Sequence, residues 1–344
     1  MKIAFVGISR KYQELAPEYR NFFNQYHLEL PFYYAKYGDN DVTIVTPDYN
    51  EDSHWEFRSD THGKLRCLSE GYFHHDDSQY DVIIHWRKWI HGVSHKGKLN
   101  LINCQDQGFS MDWLEQVNGA KELDGILCFP KWHSMNTARE LGWQRDDERI
   151  LYGVTLGVDT NIYKPTFKDP YKMLWASDPG RGLDGAIHLA RRLHSFDSRF
   201  KLHICYPDYC RKPDHVVDPA LVWEGNVSNG PALWNLFNTS GILPYTSTFM
   251  EPSSRAHRQA QASGALVLYP PNRGTPSELI ENDRDGIVSD PIGWDRKILQ
   301  LVLSGKWKEI GDNARKLAVS ENWSVQASRF NQLMEKLLGE KHAS

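Results

Sequence analysis

Residues 172–196 read KMLWASDPGRGLDGAIHLARRLHSF, and this stretch decides the fold. Lys172-Met-Leu-Trp-Ala176 is a short apolar run, the pattern of a strand buried on both faces of a parallel sheet. Ser177-Asp178-Pro179-Gly180-Arg181-Gly182 is a turn rich in Pro and Gly. Leu183 to Phe196 then reads as a helix. Such a turn places backbone N–H groups at a helix N-terminus, and Arg181 adds a cation, which together suit a phosphate. A tight strand-to-helix turn with a solvated Arg fits the same residues equally well.

The alternation continues in both directions. Toward the C-terminus, Lys201–Cys205 reads as a strand, Leu233–Thr239 as a helix and Gly241–Pro244 as a strand end. Ser253–Ser263 reads as a helix stopped by Gly264, Ala265–Tyr269 as a strand, and the tail from Trp294 as two helical pieces. Toward the N-terminus, strands are expected at Lys2–Gly7, Asp41–Thr46, Tyr80–His85, Leu99–Cys104 and Asp124–Phe129. A helical stretch from Tyr19 to Tyr37 precedes the stop at Gly38-Asp39-Asn40. Strands alternating with helices predict an α/β chain of two Rossmann-like, doubly wound halves facing a cleft, the default binding site.

Composition agrees. The 344 residues suit two domains of ~150 residues. A formal charge of −4 excludes a polycation, though not a local basic groove. The hydrophobic and charged shares, 40% and 24%, exclude large-scale disorder. The 12 Trp and 16 Tyr suit sugars and bases, but filling the core is their ordinary use. Five scattered Cys without a CxxC read as reduced thiols in a cytoplasmic protein. The opening MKIAFVGISR reads as a strand and not a signal peptide, and no apolar run reaches the ~18 residues of a membrane span.

Two further constellations carry chemistry. In Phe249-Met-Glu-Pro-Ser-Ser-Arg-Ala-His-Arg-Gln-Ala-Gln-Ala-Ser-Gly264, Pro252 suits the first helical position. Glu251 then lies just before the helix and Gln259 a little over two turns along it. A carboxylate that accepts and an amide that does both suit a polyol; alternatively Glu251 caps its own helix and pairs with Arg255. Asn272-Arg-Gly-Thr-Pro-Ser-Glu278 follows a strand. Gly274 and Thr275 there could bring amides close to a ligand or could form a plain turn. The acidic pairs Asp39/Asp41, Asp76-Asp77 and Asp146-Asp147 read as solvated turns.

Taken together, these segments resemble the GT-B glycosyltransferases, close to glycosyltransferase family four. That family reads Gly-x-x-Pro-x-Lys/Arg-Gly, then Glu-x7-Glu ending in Ala-x-Ala-x-Gly, then Gly-Gly-x-x-Glu-Leu-Ile. The counterparts are Ser177–Leu183, Glu251–Gly264 and Gly274–Ile280. Leu156–Pro165 is similar to the family's segment into the interdomain linker, and Asn322-Trp323-Ser324 to the start of its last helix. The resemblance implies an N-terminal acceptor domain at 1–163, with 323–344 packing back on it, and a C-terminal donor domain at 164–322. It implies a retaining, metal-independent transfer of a hexose from a UDP- or GDP-sugar to an acceptor hydroxyl, with no cofactor besides that co-substrate.

By the same resemblance, Arg181 holds the diphosphate and Glu251 the sugar hydroxyls, the two residues expected to carry catalysis. Ser177, Gly180, Arg255, Gln259, Gly274, Thr275 and Glu278 complete the donor set. Gln259 stands where the family has its second Glu, and Gln105 where it has an N-domain His. Arg255 or Arg258 would compensate for a missing phosphate-binding Arg before Arg181. On the acceptor side stand Gln105 and Asp106, with Arg87 and Lys88 from 82–105, a stretch without an acid that also carries Lys96, Lys98, Trp86 and Trp89. Basic residues among aromatics could grip an anionic acceptor, nucleic acid included, or could simply anchor a loop. The expected acceptor is a saccharide or glycolipid, and the expected location is cytoplasmic, free or peripheral to a membrane. The alternatives are a phage-type enzyme that glycosylates hydroxylated bases in DNA, and a non-catalytic GT-B module that binds sugar nucleotides.

Overall fold

The structure is a computed structural model, and it describes residues 1–8, 26–46, 54–58, 64–152, 154–207, 210–227 and 230–343. The chain folds as two compact units, Met1–Leu156 with Trp323–Ser344, and Gly157–Asn322.

In the first unit the strands are β1 (Lys2–Val6), β2 (Asp41–Thr46), β3 (His54–Arg58), β4 (Lys64–Ser69), β5 (Tyr80–Trp86), β6 (Gly97–Asn103), β7 (Gly125–Leu127) and β8 (Ile150–Leu151). They form one sheet in the order β3-β4-β2-β1-β5-β6-β7-β8, parallel throughout except at the β3–β4 edge. The helices that alternate with them are α1 (Tyr26–Gly38), α2 (Glu70–His75), α3 (Met111–Gly119) and α4 (Trp132–Leu141). β1 and β5 are apolar on both faces because helices cover a parallel sheet on both sides. Of the helical stretch expected from Tyr19, residues 19–25 lie outside the described residues, and α1 accounts for the rest.

The second unit begins with β9 (Asp169–Ala176), α5 (Leu183–Phe196), β10 (Lys201–Tyr206), β11 (Leu221–Asn226), α6 (Pro231–Thr239) and β12 (Ser240–Pro244). It continues with α7 (Arg255–Ala262), β13 (Leu266–Tyr269), α8 (Thr275–Glu278), β14 (Ile287–Val288), α9 (Trp294–Ser304) and α10 (Lys306–Ser320). All its strands are parallel, in the order β11-β10-β9-β12-β13-β14. Counted within the unit this is 3-2-1-4-5-6, the Rossmann order, which reverses direction between β9 and β12. Trp175 and Trp294 are fully buried, and a large apolar side chain so placed contributes roughly 1.5–3 kcal/mol.

Three expectations need correction. The tail from Trp294 is three helices rather than two, because Gly305 turns left-handed (φ +74°) between α9 and α10 and a second break falls before α11 (Trp323–Ala343). Pro252 and Ser253 are not helical. Ser254 is the N-cap of α7, in extended backbone, with its hydroxyl accepting the His257 amide. Residues 157–163 pack with the second unit and not the first: Tyr163 joins its core, and the Arg315 guanidinium binds the carbonyls of Thr160 and Tyr163.

α11 belongs to the first unit. Phe330 stacks on Tyr34 with centroids 4.1 Å apart, and Trp323 on Tyr33 at 4.9 Å. The Asn40 side-chain amide donates to Asn331 at 2.8 Å, and Gln326 accepts the Thr155 amide at 2.8 Å. The last helix thus returns to the N-terminal unit, as expected.

Candidate functional site

In an open parallel sheet, ligands bind outside the strand C-termini where the strand order reverses. In the second unit that point lies between β9, which runs into Ser177, and β12, which runs into Tyr245. The turn after β9 is a 3-10 helix at Pro179–Arg181, capped by Asp178, whose carboxylate accepts the Gly180 amide at 2.8 Å. The amides of Arg181 and Gly182 are bonded to the carbonyls of Asp178 and Pro179. These three amides are spent inside the turn, so the turn's contribution is the Arg181 side chain. Gly182 (φ +121°) fixes the approach of this turn to the chain after β12. A Cβ there would lie 2.4 Å from the Thr246 carbonyl oxygen, and the Thr246 hydroxyl donates to the Gly182 carbonyl at 2.7 Å.

The other two constellations are clamped to each other by backbone. The Glu251 amide donates to Arg273 O and the Thr275 amide to Glu251 O, both at 3.0 Å, as a parallel bridge. This clamp holds Glu251 extended, so its side chain neither caps α7 nor pairs with Arg255. It meets Arg181 instead. One guanidinium nitrogen, Nη1, donates to both carboxylate oxygens at 2.7 Å. Tyr245 O–H donates to Oε1 at 3.0 Å, and the Ser177 hydroxyl lies 3.1 Å from the Tyr245 oxygen. The Arg181 guanidinium rests 4.9 Å above the Phe249 ring. Glu251 is completely buried, while 36% of the Arg181 side chain is exposed. Burial pushes the Glu251 carboxyl above the ordinary carboxylate range, and Arg181 and Tyr245 pull it back.

The remaining donor-side residues are less convergent. Gln259 is buried and its amide donates to the Tyr163 hydroxyl at 2.8 Å. Arg258 is buried, with Nη1 on Gln261 Oε1 at 3.3 Å, and Arg255 is half-buried in the first turn of α7. Gly274 and Thr275 are buried beside Glu251, whereas Glu278 is exposed at the end of α8.

In the first unit, Gln105 follows β6 and is buried, and among the described residues neither of its amide atoms finds a hydrogen-bond partner. Asp106 sits beside it with Oδ2 3.6 Å from Arg87 Nε. Of the four cations of 82–105 only Lys96 is buried; Arg87 and Lys98 stay exposed in surface pairs. Lys98 pairs with Asp81 at 2.8 Å, Lys96 is buried on the Asp76 carbonyl, and Lys88 is exposed with no contact of this kind shown. Trp86, the last residue of β5, and Trp89 are both buried. Of the acids expected in solvated turns, Asp39, Asp77 and Asp146 are exposed, but Asp41 opens β2, and Asp76 and Asp147 are largely covered and paired with Arg66 and Arg149. Among the described residues no three His, Cys, Asp or Glu side chains are grouped to hold a metal, and no helix is long and apolar enough to cross a membrane.

Sequence reasoning missed Tyr245, Phe249, Tyr163 and Asp178. Tyr245 carried a usable signal: it is the first residue past the buried strand Gly241–Pro244, the position from which a parallel strand presents side chains to a ligand.

No protein-family model matches the sequence, and no curated protein matches it. Solved structures do match. Sucrose-phosphate synthase from Thermosynechococcus elongatus superposes with a TM-score of 0.69 at 12% identity, over 99% of this chain and 100% of that one. HepE of Anabaena, in complex with UDP-glucose, superposes with a TM-score of 0.65 at 15% identity, over 99% of this chain and 100% of its own. The chain has the GT-B fold.

A TarM variant of S. aureus, in complex with UDP among other ligands, shares the GT-B fold at a TM-score of 0.57 and 15% identity, over 76% of this chain and 56% of its own length. At these identities the likeness is one of fold. Within this GT-B chain, Ser177, Arg181, Glu251, Gly274 and Thr275 are gathered at the end of the second sheet that the strand order singles out.

One buried neighbour of the site has a measurable pH signature. His257 is 1% exposed, in the first turn of α7, beside Arg258 and 5.9 Å from the Tyr269 ring. Burial first, and Arg258 second, lower its pKa from 6.5 to about 3. The folded state therefore refuses a proton that the unfolded chain accepts below 6.5, and stability falls with pH from there down to the folded value. Denaturant unfolding is expected to show the second unit losing about 2 kcal/mol more between pH 7 and 5 in the wild type than in His257→Gln. Equal losses in the two proteins would remove His257 as the cause.

Proposed function

We propose that this chain is a glycosyltransferase whose second unit binds a nucleoside diphosphate sugar, with UDP-sugars the first to test. The observation that carries the reading is the buried Glu251 carboxylate bonded by Arg181 at the point where the Rossmann order reverses, within a GT-B fold. HepE, with the same fold, was solved with UDP and with UDP-glucose. A cation for the diphosphate and a carboxylate for sugar hydroxyls are the two chemistries such a donor asks for.

In this reading Arg181 leaves Glu251 for the diphosphate and stabilises the leaving charge. Glu251 then accepts hydroxyls of the sugar. Ser177, Gly274 and Thr275 shape the site, Gly180 forms the turn that carries Arg181, and Gln259 and Arg255 line α7 on the donor side, with Glu278 nearby. Transfer proceeds with retention: the acceptor attacks on the face the diphosphate leaves, and the diphosphate oxygen takes the acceptor proton. Positioning supplies most of the rate. This chemistry asks for no protein nucleophile, cofactor or metal. The acceptor is a hydroxyl of a saccharide or glycolipid, met by Gln105 and Asp106 with Arg87 and Lys88.

A thermal-shift panel of nucleoside diphosphates and their sugars tests the donor. At a hundred times Kd a specific ligand adds about 2.7 kcal/mol, a rise of about 5–10 °C in Tm. A UDP-sugar is expected to give such a rise in the wild type and none in Arg181→Ala. No rise with any member of the panel would end the reading. Slow release of free sugar from the donor without acceptor separates an enzyme from a module that only binds.

A further inference from the structure

We propose that Tyr245 is a positioning residue that holds the Glu251 carboxylate in place once a donor diphosphate competes for Arg181. The inference rests on the donor reading above and extends it to a residue outside all three constellations.

The Glu251 carboxylate accepts from two side chains of unequal permanence. Arg181 stands on a three-residue turn with 36% of its side chain in solvent. Tyr245 is 2% exposed, and its amide is fastened to the Leu268 carbonyl of β13 at 2.9 Å. Its ring lies between Trp175 (centroids 5.6 Å apart, planes at 11°) and Tyr269 (5.5 Å, 12°). Turning the ring out would break both stacks. The direction of its hydroxyl follows from valence. A carboxylate only accepts, so the Tyr245 proton goes to Glu251 Oε1 and the Ser177 hydroxyl donates to the Tyr245 oxygen.

A diphosphate brings more negative charge to Arg181 than one carboxylate does. Whatever share of the guanidinium Glu251 loses, the Tyr245 hydroxyl remains on Oε1. Oε2 then has no competing donor and can accept a sugar hydroxyl. The role of Tyr245 therefore shows only when a sugar is attached to the nucleotide. A bare diphosphate meets Arg181 whether or not Glu251 is well aimed.

Calorimetric titration with UDP, UDP-glucose, UDP-galactose and UDP-N-acetylglucosamine reads this out. Tyr245→Phe keeps the ring and removes the hydroxyl. It is expected to bind UDP within about twofold of the wild type, while the ratio of best to worst UDP-sugar affinity falls about tenfold. If Tyr245→Phe does not fold, Tyr245→Met, which also removes the hydroxyl, is read in the same way, with the same fall expected in that ratio. A variant that folds and keeps the wild-type ratio overturns the inference. So does an equal loss for UDP and every UDP-sugar, which would mark a purely structural role. A wild type that binds UDP-sugars while the variant discriminates as well as it does sinks this inference alone; a wild type that binds none sinks the donor reading and this inference together.

Discussion

Replacing Arg181 with alanine is expected to destabilise the second unit by about 3 kcal/mol at pH 7, and adding Glu251→Gln is expected to recover most of that loss. Removing one member of a buried ion pair typically costs 3–5 kcal/mol, because the other charge is left without compensation. The lower end applies here because a third of the Arg181 side chain already meets water, while Glu251 meets none. Glutamine keeps the shape and the bond from Tyr245 without the charge. The single variant also carries a pH signature. Without Arg181 the Glu251 carboxyl moves further above its ordinary value, in the direction burial already pushes it. A group raised in the folded state stabilises below its ordinary pKa, and that stability is lost as pH rises through the folded value. The penalty in Arg181→Ala should therefore be smaller at pH 5 than at pH 7. Denaturant titrations of the wild type, both single variants and the double variant at the two pH values check this. A cost under about 1 kcal/mol, or no rescue by Glu251→Gln, would mean that the pair does not hold the site together.

Gly274→Ala should be as damaging, through backbone rather than charge. Gly274 has φ +91°, and a Cβ there would fall 2.2 Å from the Glu251 carbonyl oxygen and 2.8 Å from its amide nitrogen. Both contacts are with backbone, so neither can move without opening the bridge that aims Glu251. With ψ −163° as well, this is backbone that essentially glycine alone adopts, and holding an L-residue there costs roughly 1–3 kcal/mol; with the collision, a loss of about 3–5 kcal/mol is expected. Gly293→Ala and Gly305→Ala give the cost of left-handed helical backbone without a collision. Both positions have positive φ, yet an added Cβ meets nothing within 4 Å. They should cost about 1 kcal/mol each, measured by the same unfolding experiment. A loss in Gly274→Ala no larger than in those two would mean that the clamp carries no weight.

Much of this architecture could be read before any coordinates, for a physical reason. Strands buried on both faces, such as Lys2–Val6 and Asp41–Thr46, are continuous apolar runs between Gly and polar stops. β4 (Lys64–Ser69) went unread because it mixes Lys and Arg with Leu and Cys near an edge. β11, β8 and β14 lie at sheet edges too, where the apolar run shortens. The start of α7 was misplaced because Pro252 satisfies the local rule for a first helical residue. A long-range bridge from 251 to 274 decided otherwise, and no local pattern shows such a contact. The same limit applied to the site. Arg181, Glu251 and Gly274 could each be picked out from their own turns, but their pairing needed the sheet. Tyr245 belonged to no motif, and its partners lie 68 residues upstream and 6 downstream.

The return of the final helix to the first unit has a consequence for biosynthesis. As the chain leaves the ribosome, the second unit is complete once residue 322 has emerged. The first unit began earlier, yet until residues 323–343 follow it still lacks the helix that covers Tyr33 and Tyr34. For that interval the nascent chain carries an open aromatic face, so a chaperone or premature termination would act on the older half of the protein and spare the younger.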